Sequence, residues 1–315
     1  MDWKNILIRI LKIGIIAGSI YFIGYRLWNE YQSGVFAFEQ NKLTSFSYTS
    51  LLLVFTLVFV NWFIESIKWR QLLIPVQLIS FSDALKSVLA GISVSIFTPN
   101  RIGEFGGRIL ILQKSVRMQG VFASLVGNFA QTLVTLIAGV LFFPFYIQNL
   151  SVYNKSNEPL LVTLSVIAAV VGLLLFFNIK KLAMKVLIIP WFKKKQQFFN
   201  FLLTYARIDL LKCLGFSALR YLIFTFQFYL LLNFFGVQLS YTTAIIAISQ
   251  VFFIMTFIPT FALAELGVRG SVAVLVIGTL SPLSSAIIAA SVLLWIINLA
   301  LPALVGAQFL YRFKV

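Results

Sequence analysis

Two short stretches hold most of the groups able to do chemistry in an otherwise oily chain. The first, FTPNRIGEFGGR (Phe97 to Arg108), carries Arg101, Glu104 and Arg108. The second, FIPTFALAELGVRG (Phe257 to Gly270), carries Glu265 and Arg269. In each, a glutamate precedes an arginine by four residues, which puts both charges on one helix face in the favourable order. Arginine's planar fork matches phosphate oxygens, and the free N–H groups at helix starts favour anions as well. Arg101, Arg108 and Arg269 outnumber Glu104 and Glu265 by one charge, and Arg220 in a later apolar helix adds another. A phosphate-bearing guest is the expectation, with the glutamates orienting the arginines or exchanging a proton. The plainer alternative is that Glu104–Arg108 and Glu265–Arg269 are closed salt bridges that brace the local fold. The two roles are compatible.

These groups must be positioned by an unusually apolar chain. Hydrophobic residues make up 60% of the 315 and charged residues 11%, a composition that excludes a soluble domain and points to an integral membrane protein. The net charge of +16 is expected to lie in loops facing anionic headgroups at the cytoplasmic face, not to bind nucleic acid. The chain has one cysteine, Cys213, and no histidine. An internal disulfide, a Ser-His triad and a histidine-based zinc site are therefore excluded. No metal, cofactor or catalytic residue is expected, and no ATP-binding loop motif is present.

Six stretches are long and apolar enough to span, near 6–28, 46–67, 119–146, 159–179, 212–235 and 284–311. The first has a basic start but no small-residue cleavage site, so it reads as a retained helix and not a signal peptide. Two further apolar stretches, 82–112 and 240–279, are interrupted by proline, glycine and charge. The break residues are Pro99, Gly103 and Gly107 in one, and Pro259, Gly267 and Gly270 in the other. Basic residues orient the rest. Lys4, Arg9 and Lys12 place the N-terminus in the cytoplasm, and Lys68, Arg70, Lys114 and Arg117 lie inside. Between Lys180 and Lys212 eight basic residues face one acid, also inside, and Arg312 and Lys314 bring the C-terminus back to the same side. This accounting closes only if each interrupted stretch enters and leaves on one face, the first from the cytoplasm and the second from outside. Lys193 to Lys195 beside Trp191 and Phe192 read as a basic interfacial segment or a plain loop.

The expected fold is an all-α membrane protein of six spanning helices and two oppositely entering re-entrant helical hairpins, arranged as an inverted repeat. Residues 1–45 hold the first helix and an external loop, and 46–146 form repeat one with its hairpin at 82–112. A connecting helix and basic segment fill 147–211, and 212–315 form repeat two with its hairpin at 240–279. Broken segments at matching positions in two inverted halves are a pointer to a transport site. Asn61, Glu65, Asn128, Gln131, Gln227, Gln250 and Asn298 read as hydrogen-bonding glue between helices.

Three stretches carry a family resemblance. NWFIESIKWRQLL (61–73), TPNRIGEFGGR (98–108) and PTFALAELGVRGS (259–271) resemble motifs of the lysylphosphatidylglycerol synthase transmembrane-region family. This is the flippase-like membrane part of bacterial multiple-peptide-resistance synthases and their stand-alone relatives. The similarity runs over about residues 5–312. In the second hairpin the order differs from the family's, with Glu265 ahead of Gly267 and Gly270 after Arg269. The resemblance implies lipid movement between leaflets of the bacterial inner membrane. It does not bring the synthase activity, which belongs to a soluble domain outside the membrane part. The leading expectation is a non-enzymatic transporter of an aminoacyl phospholipid or a polyprenyl-phosphate-linked lipid, with its oligomeric state open. A membrane-embedded enzyme using Glu104 and Glu265 as acid and base, or a non-transporting partner subunit, are the alternatives.

Overall fold

A computed structural model describes residues 45–98, 101–148, 158–186, 201–259 and 262–310, together with the isolated positions Tyr21, Tyr25, Trp28 and Gln32. The expected helix at 6–28, Pro99, the 191–195 segment and both termini lie outside the described residues or nearly so. Among those described there is no strand.

The helices are α1 (Ser45–Leu73), α2 (Phe81–Ser95), α3 (Gly103–Ile109), α4 (Arg117–Ile147), α5 (Glu158–Phe177), α6 (Ile179–Val186) and α7 (Arg207–Phe234). They are followed by α8 (Tyr241–Phe257), α9 (Ala262–Ile277), α10 (Ser284–Trp295) and α11 (Leu301–Leu310). Five helical stretches are long and apolar enough to cross a membrane: Tyr48–Leu73, Lys114–Ile147, Pro159–Phe177, Arg207–Phe234 and Ser284–Leu310. They coincide with five of the expected spans, and the chain is a multi-pass membrane protein. The last span is not a plain α-helix, because α10 and α11 are joined by a π-helical turn, Ile296–Ala300.

Both interrupted stretches resolve into paired helices. Each first helix starts on a serine cap: the Asp83 N–H donates to Ser80 Oγ at 3.1 Å and the Thr243 N–H to Ser240 Oγ at 3.2 Å. Such caps satisfy N–H groups that the helix itself leaves open. Helices α2 and α3 run antiparallel, since Gly103 meets Val94, Gly107 meets Gly91 and Ala90, and the Ser87 hydroxyl donates to the Arg108 carbonyl at 2.5 Å. A Cβ added at Gly107 would lie 2.6 Å from the Gly91 Cα, so this glycine permits the two backbones to touch.

The expected breaks are narrower than the sequence pattern implied. Gly107 lies inside α3, and Gly267 and Gly270 lie inside α9, so these three glycines do not interrupt a helix. In the second stretch α8 ends at Phe257, Ile258 and Pro259 are not helical, and α9 is helical from Ala262. Proline removes an N–H and clashes with the preceding turn, whereas a glycine costs a helix only about 1 kcal/mol. Tertiary packing readily offsets that smaller amount.

The order of a long helix, two paired shorter helices and a long helix occurs twice, as α1, α2–α3, α4 and as α7, α8–α9, α10–α11. Helices α1 and α7 lie against each other and run antiparallel, as Gln227 Nε2 donates to the Val54 carbonyl at 2.8 Å while Lys68 Nζ reaches Ser217 Oγ at 3.4 Å. Both helices thread two apolar cores. Val54 and Val58 of α1 join Phe228 and Leu231 of α7 in one core, with α8, α9 and α10. Trp69 and Leu72 of α1 join Leu210 and Cys213 of α7 in the other, with α2 and the start of α4. The polar residues of α1 and α7 fall between these cores, at mid-helix.

Candidate functional site

At the middle of α1, Asn61, Glu65 and Lys68 share one buried face, and Glu65 is 0% exposed. Burying a carboxylate there is tolerable only with cationic partners, and three converge on it. Arg108 Nη2 of α3 donates to Glu65 Oε1 at 2.7 Å, Lys68 Nζ lies 2.8 Å from Oε2, and Arg220 of α7 also bonds Oε2. Arg220 Nε donates to Asn61 Oδ1 at 2.7 Å, and its guanidinium lies over the Trp62 ring, 5.4 Å from the centroid. Arg108 also bonds Glu104, one turn before it in α3, and lies 5.6 Å from the centre of the Trp69 ring. The stacking matters because a guanidinium sheds its hydration more readily than an ammonium and keeps its charge.

A second cluster forms where the link between α2 and α3 meets the first turns of α9. Glu265 Oε1 accepts from Arg269 Nη2 at 2.6 Å and from Arg101 Nη2 at 2.7 Å. Arg101 comes from the link between α2 and α3, so this contact joins the α2–α3 pair to α9. It holds a backbone conformation rare for a side-chain-bearing residue, with φ at 57°, which costs about 1–2 kcal/mol relative to the right-handed region. The turn is braced by Thr98, whose Oγ1 accepts from the Gly103 N–H at 2.8 Å and whose carbonyl accepts from the Arg101 N–H at 3.3 Å.

Between the clusters lies a cavity of about 580 Å³. Its charged lining is Arg101, Glu104, Arg220, Glu265 and Arg269, and its apolar lining includes Phe252, Met255 and Phe257 together with Trp62 and Phe224, the two rings against Arg220. Five of the six sequence-derived binding candidates thus line one space. Arg108 does not; it lies behind the wall, 2% exposed, tied to Glu65 and Glu104. Both expected Glu–Arg pairs form within their helices, but neither is closed, because Arg108 reaches Glu65 and Glu265 takes Arg101.

Other readings of the sequence need correction. Lys68 is not a loop charge beyond a helix ending near 67: α1 continues to Leu73, and Lys68 is 1% exposed against Glu65. Glu65 and Asn61 do more than join helices, since they hold Arg220 at the cavity. Gln227 and Gln250 do serve as interhelical glue, the latter donating to the Gly139 carbonyl at 3.0 Å. Trp295 and Asn298, at the π-helical turn, line the cavity too. Nothing local in the sequence marked Trp295. The Asn61–Glu65–Lys68 spacing was the available sign for the first cluster, three polar groups on one stripe of an oily helix.

Comparison with curated proteins and with solved structures gave no match. A family model described as "Lysylphosphatidylglycerol synthase TM region" matches residues 9–306, nearly the whole chain. The chain therefore belongs to the lysylphosphatidylglycerol synthase TM region family, a membrane family tied to lipid handling.

Proposed function

We propose that this protein is a flippase-like transporter that moves a phosphate-bearing lipid between leaflets of the bacterial inner membrane. The carrying observation is the cavity between the two ion clusters, lined by three arginines together with aromatic side chains. Such a lining suits a lipid's two chemistries, an anionic head and an apolar tail. Arg101, Arg220 and Arg269 bind the phosphate. Glu104 and Glu265 orient arginines, and Arg108 with Glu65 holds the first hairpin against α1 and α7.

In this reading α2–α3 and α8–α9 are re-entrant hairpins entering from opposite faces, within an inverted-topology repeat, and both termini are cytoplasmic. Several features support it. Helices α2 and α3 have 15 and 7 residues, short of the roughly 20 that a span requires. The antiparallel α1 and α7 head the two matching units, as inverted repeats demand. Charged groups midway along spanning helices are expensive and mark substrate pathways. Both cavity glutamates are already paired with arginine, which fits anion binding better than acid–base catalysis, so the protein acts as a transporter and not as an enzyme.

The test is reconstitution into liposomes with a leaflet-specific assay of fluorescent phospholipid and of polyprenyl phosphate. Wild type is expected to move at least one of them faster than protein-free vesicles, and Arg269→Gln to slow it. No movement of either lipid, or identical rates in wild type and Arg269→Gln, would sink the proposal.

A further inference from the structure

The two ion clusters are not neutral. Among the described residues, five cations (Lys68, Arg101, Arg108, Arg220 and Arg269) meet three carboxylates (Glu65, Glu104 and Glu265), an excess of two positive charges. These groups are largely buried: Glu265 is 5% and Arg220 7% exposed, where an uncompensated charge is costly. Around the same cavity three N–H donors among the described residues have no partner, Arg269 Nε, Trp62 Nε1 and Trp295 Nε1, against two unpaired acceptors, Gln131 Oε1 and Asn298 Oδ1. Trp295 is 8% exposed and stands at the start of the π-helical turn, a local unwinding that often accompanies functional sites.

From this surplus of charge we infer that the cavity takes a doubly charged phosphate end, a phosphomonoester or diphosphate, in preference to a singly charged phosphodiester. This rests on the anion-site reading above and narrows its substrate class. A phosphomonoester brings close to two negative charges near neutral pH and three strong acceptor oxygens. It neutralises the excess and offers acceptor oxygens to the arginines that line the cavity. A phosphodiester brings one charge and leaves one cation uncompensated. An aminoacyl phospholipid adds an ammonium to the positive side, which the arginine-bound Glu104 and Glu265 are poorly placed to receive. The apolar lining of Phe252, Met255 and Phe257 accommodates the first part of a lipid chain.

The chemistry is shared by a lipid phosphate and by free phosphate, and the experiment separates them. Purified protein is titrated at pH 7.5 with hexadecyl phosphate, with its methyl ester (the matched phosphodiester) and with inorganic phosphate, and binding is read by native mass spectrometry. The monoester is expected to bind more tightly than the methyl ester by at least about tenfold. Arg101→Gln, which alters the most exposed of the five cations (41%), is expected to shrink that ratio, and Arg269→Gln serves as a second variant. Equal or reversed affinity for the two esters overturns the inference while leaving lipid transport standing. Inorganic phosphate matching hexadecyl phosphate supports a dianion site and overturns the lipid reading instead. No binding of any probe overturns the inference, and the liposome assay then decides the transport proposal separately.

Discussion

Replacing Glu65 by glutamine is the sharpest perturbation the structure offers. The change preserves side-chain volume and one acceptor but removes the charge that Lys68, Arg108 and Arg220 share. Glu104 would then be the sole carboxylate among those three cations, and it bonds Arg108. A unit pair at 4 Å is worth about 4 kcal/mol at an effective dielectric of 20. Several such attractions are lost, while the cost of burying the carboxylate is recovered. Removing one member of a buried pair generally costs about 3–5 kcal/mol, and that is the expected destabilisation. The chain supplies its own reporter: Cys213 is its single cysteine and 1% exposed, so a thiol-reactive dye labels it only as the protein opens. Thermal labelling curves in detergent are expected to shift strongly downward for Glu65→Gln. Adding Lys68→Met, which removes one stranded cation without touching the cavity lining, should recover at least about 1 kcal/mol relative to additivity. A Glu65→Gln variant within about 1 kcal/mol of wild type, or a strictly additive double variant, would refute the charge-hub reasoning.

Further outcomes follow from particular contacts. Gly107→Ala forces a Cβ to 2.6 Å from the Gly91 backbone and is expected to destabilise by about 1–3 kcal/mol, whereas Gly267→Ala, with nothing within 4 Å, should leave the labelling curve nearly unchanged. Tyr205→Phe removes a buried bond of 2.6 Å to the Leu72 carbonyl and should cost about 1–2 kcal/mol in the same assay. Arg101→Gly relieves the φ of 57° yet breaks the contact between the α2–α3 pair and α9. Its expected signature is a nearly unchanged labelling midpoint together with slower lipid movement in liposomes; unchanged movement would show that the Arg101–Glu265 contact is dispensable.

Much was legible from sequence because it is local. A long apolar run reports burial in lipid, a Glu–Arg spacing of four reports one helix face, and a proline followed by glycine and charge reports a break, whereas Pro144 alone stays inside α4. Five spans, both intrahelical pairs and the two interruptions follow from these rules without any tertiary information. The glycines misled because the same residue that loosens a backbone also permits close packing. Gly107 permits close packing against Gly91, whereas Gly267 has open space beside it and still continues its helix. The partners of each charge were decided only by the fold. Glu65 meets Arg108 across 43 residues and Arg220 across 155, and Arg101 meets Glu265 across 164. No local periodicity encodes such pairings; they arise because α1 and α7 cross two apolar cores and hold their polar middles together. That packing also moved Arg108 behind the wall and brought Trp295 into it. The sequence by itself determined that arginines and glutamates would be held within an oily bundle, and tertiary structure decided which of them face the cavity.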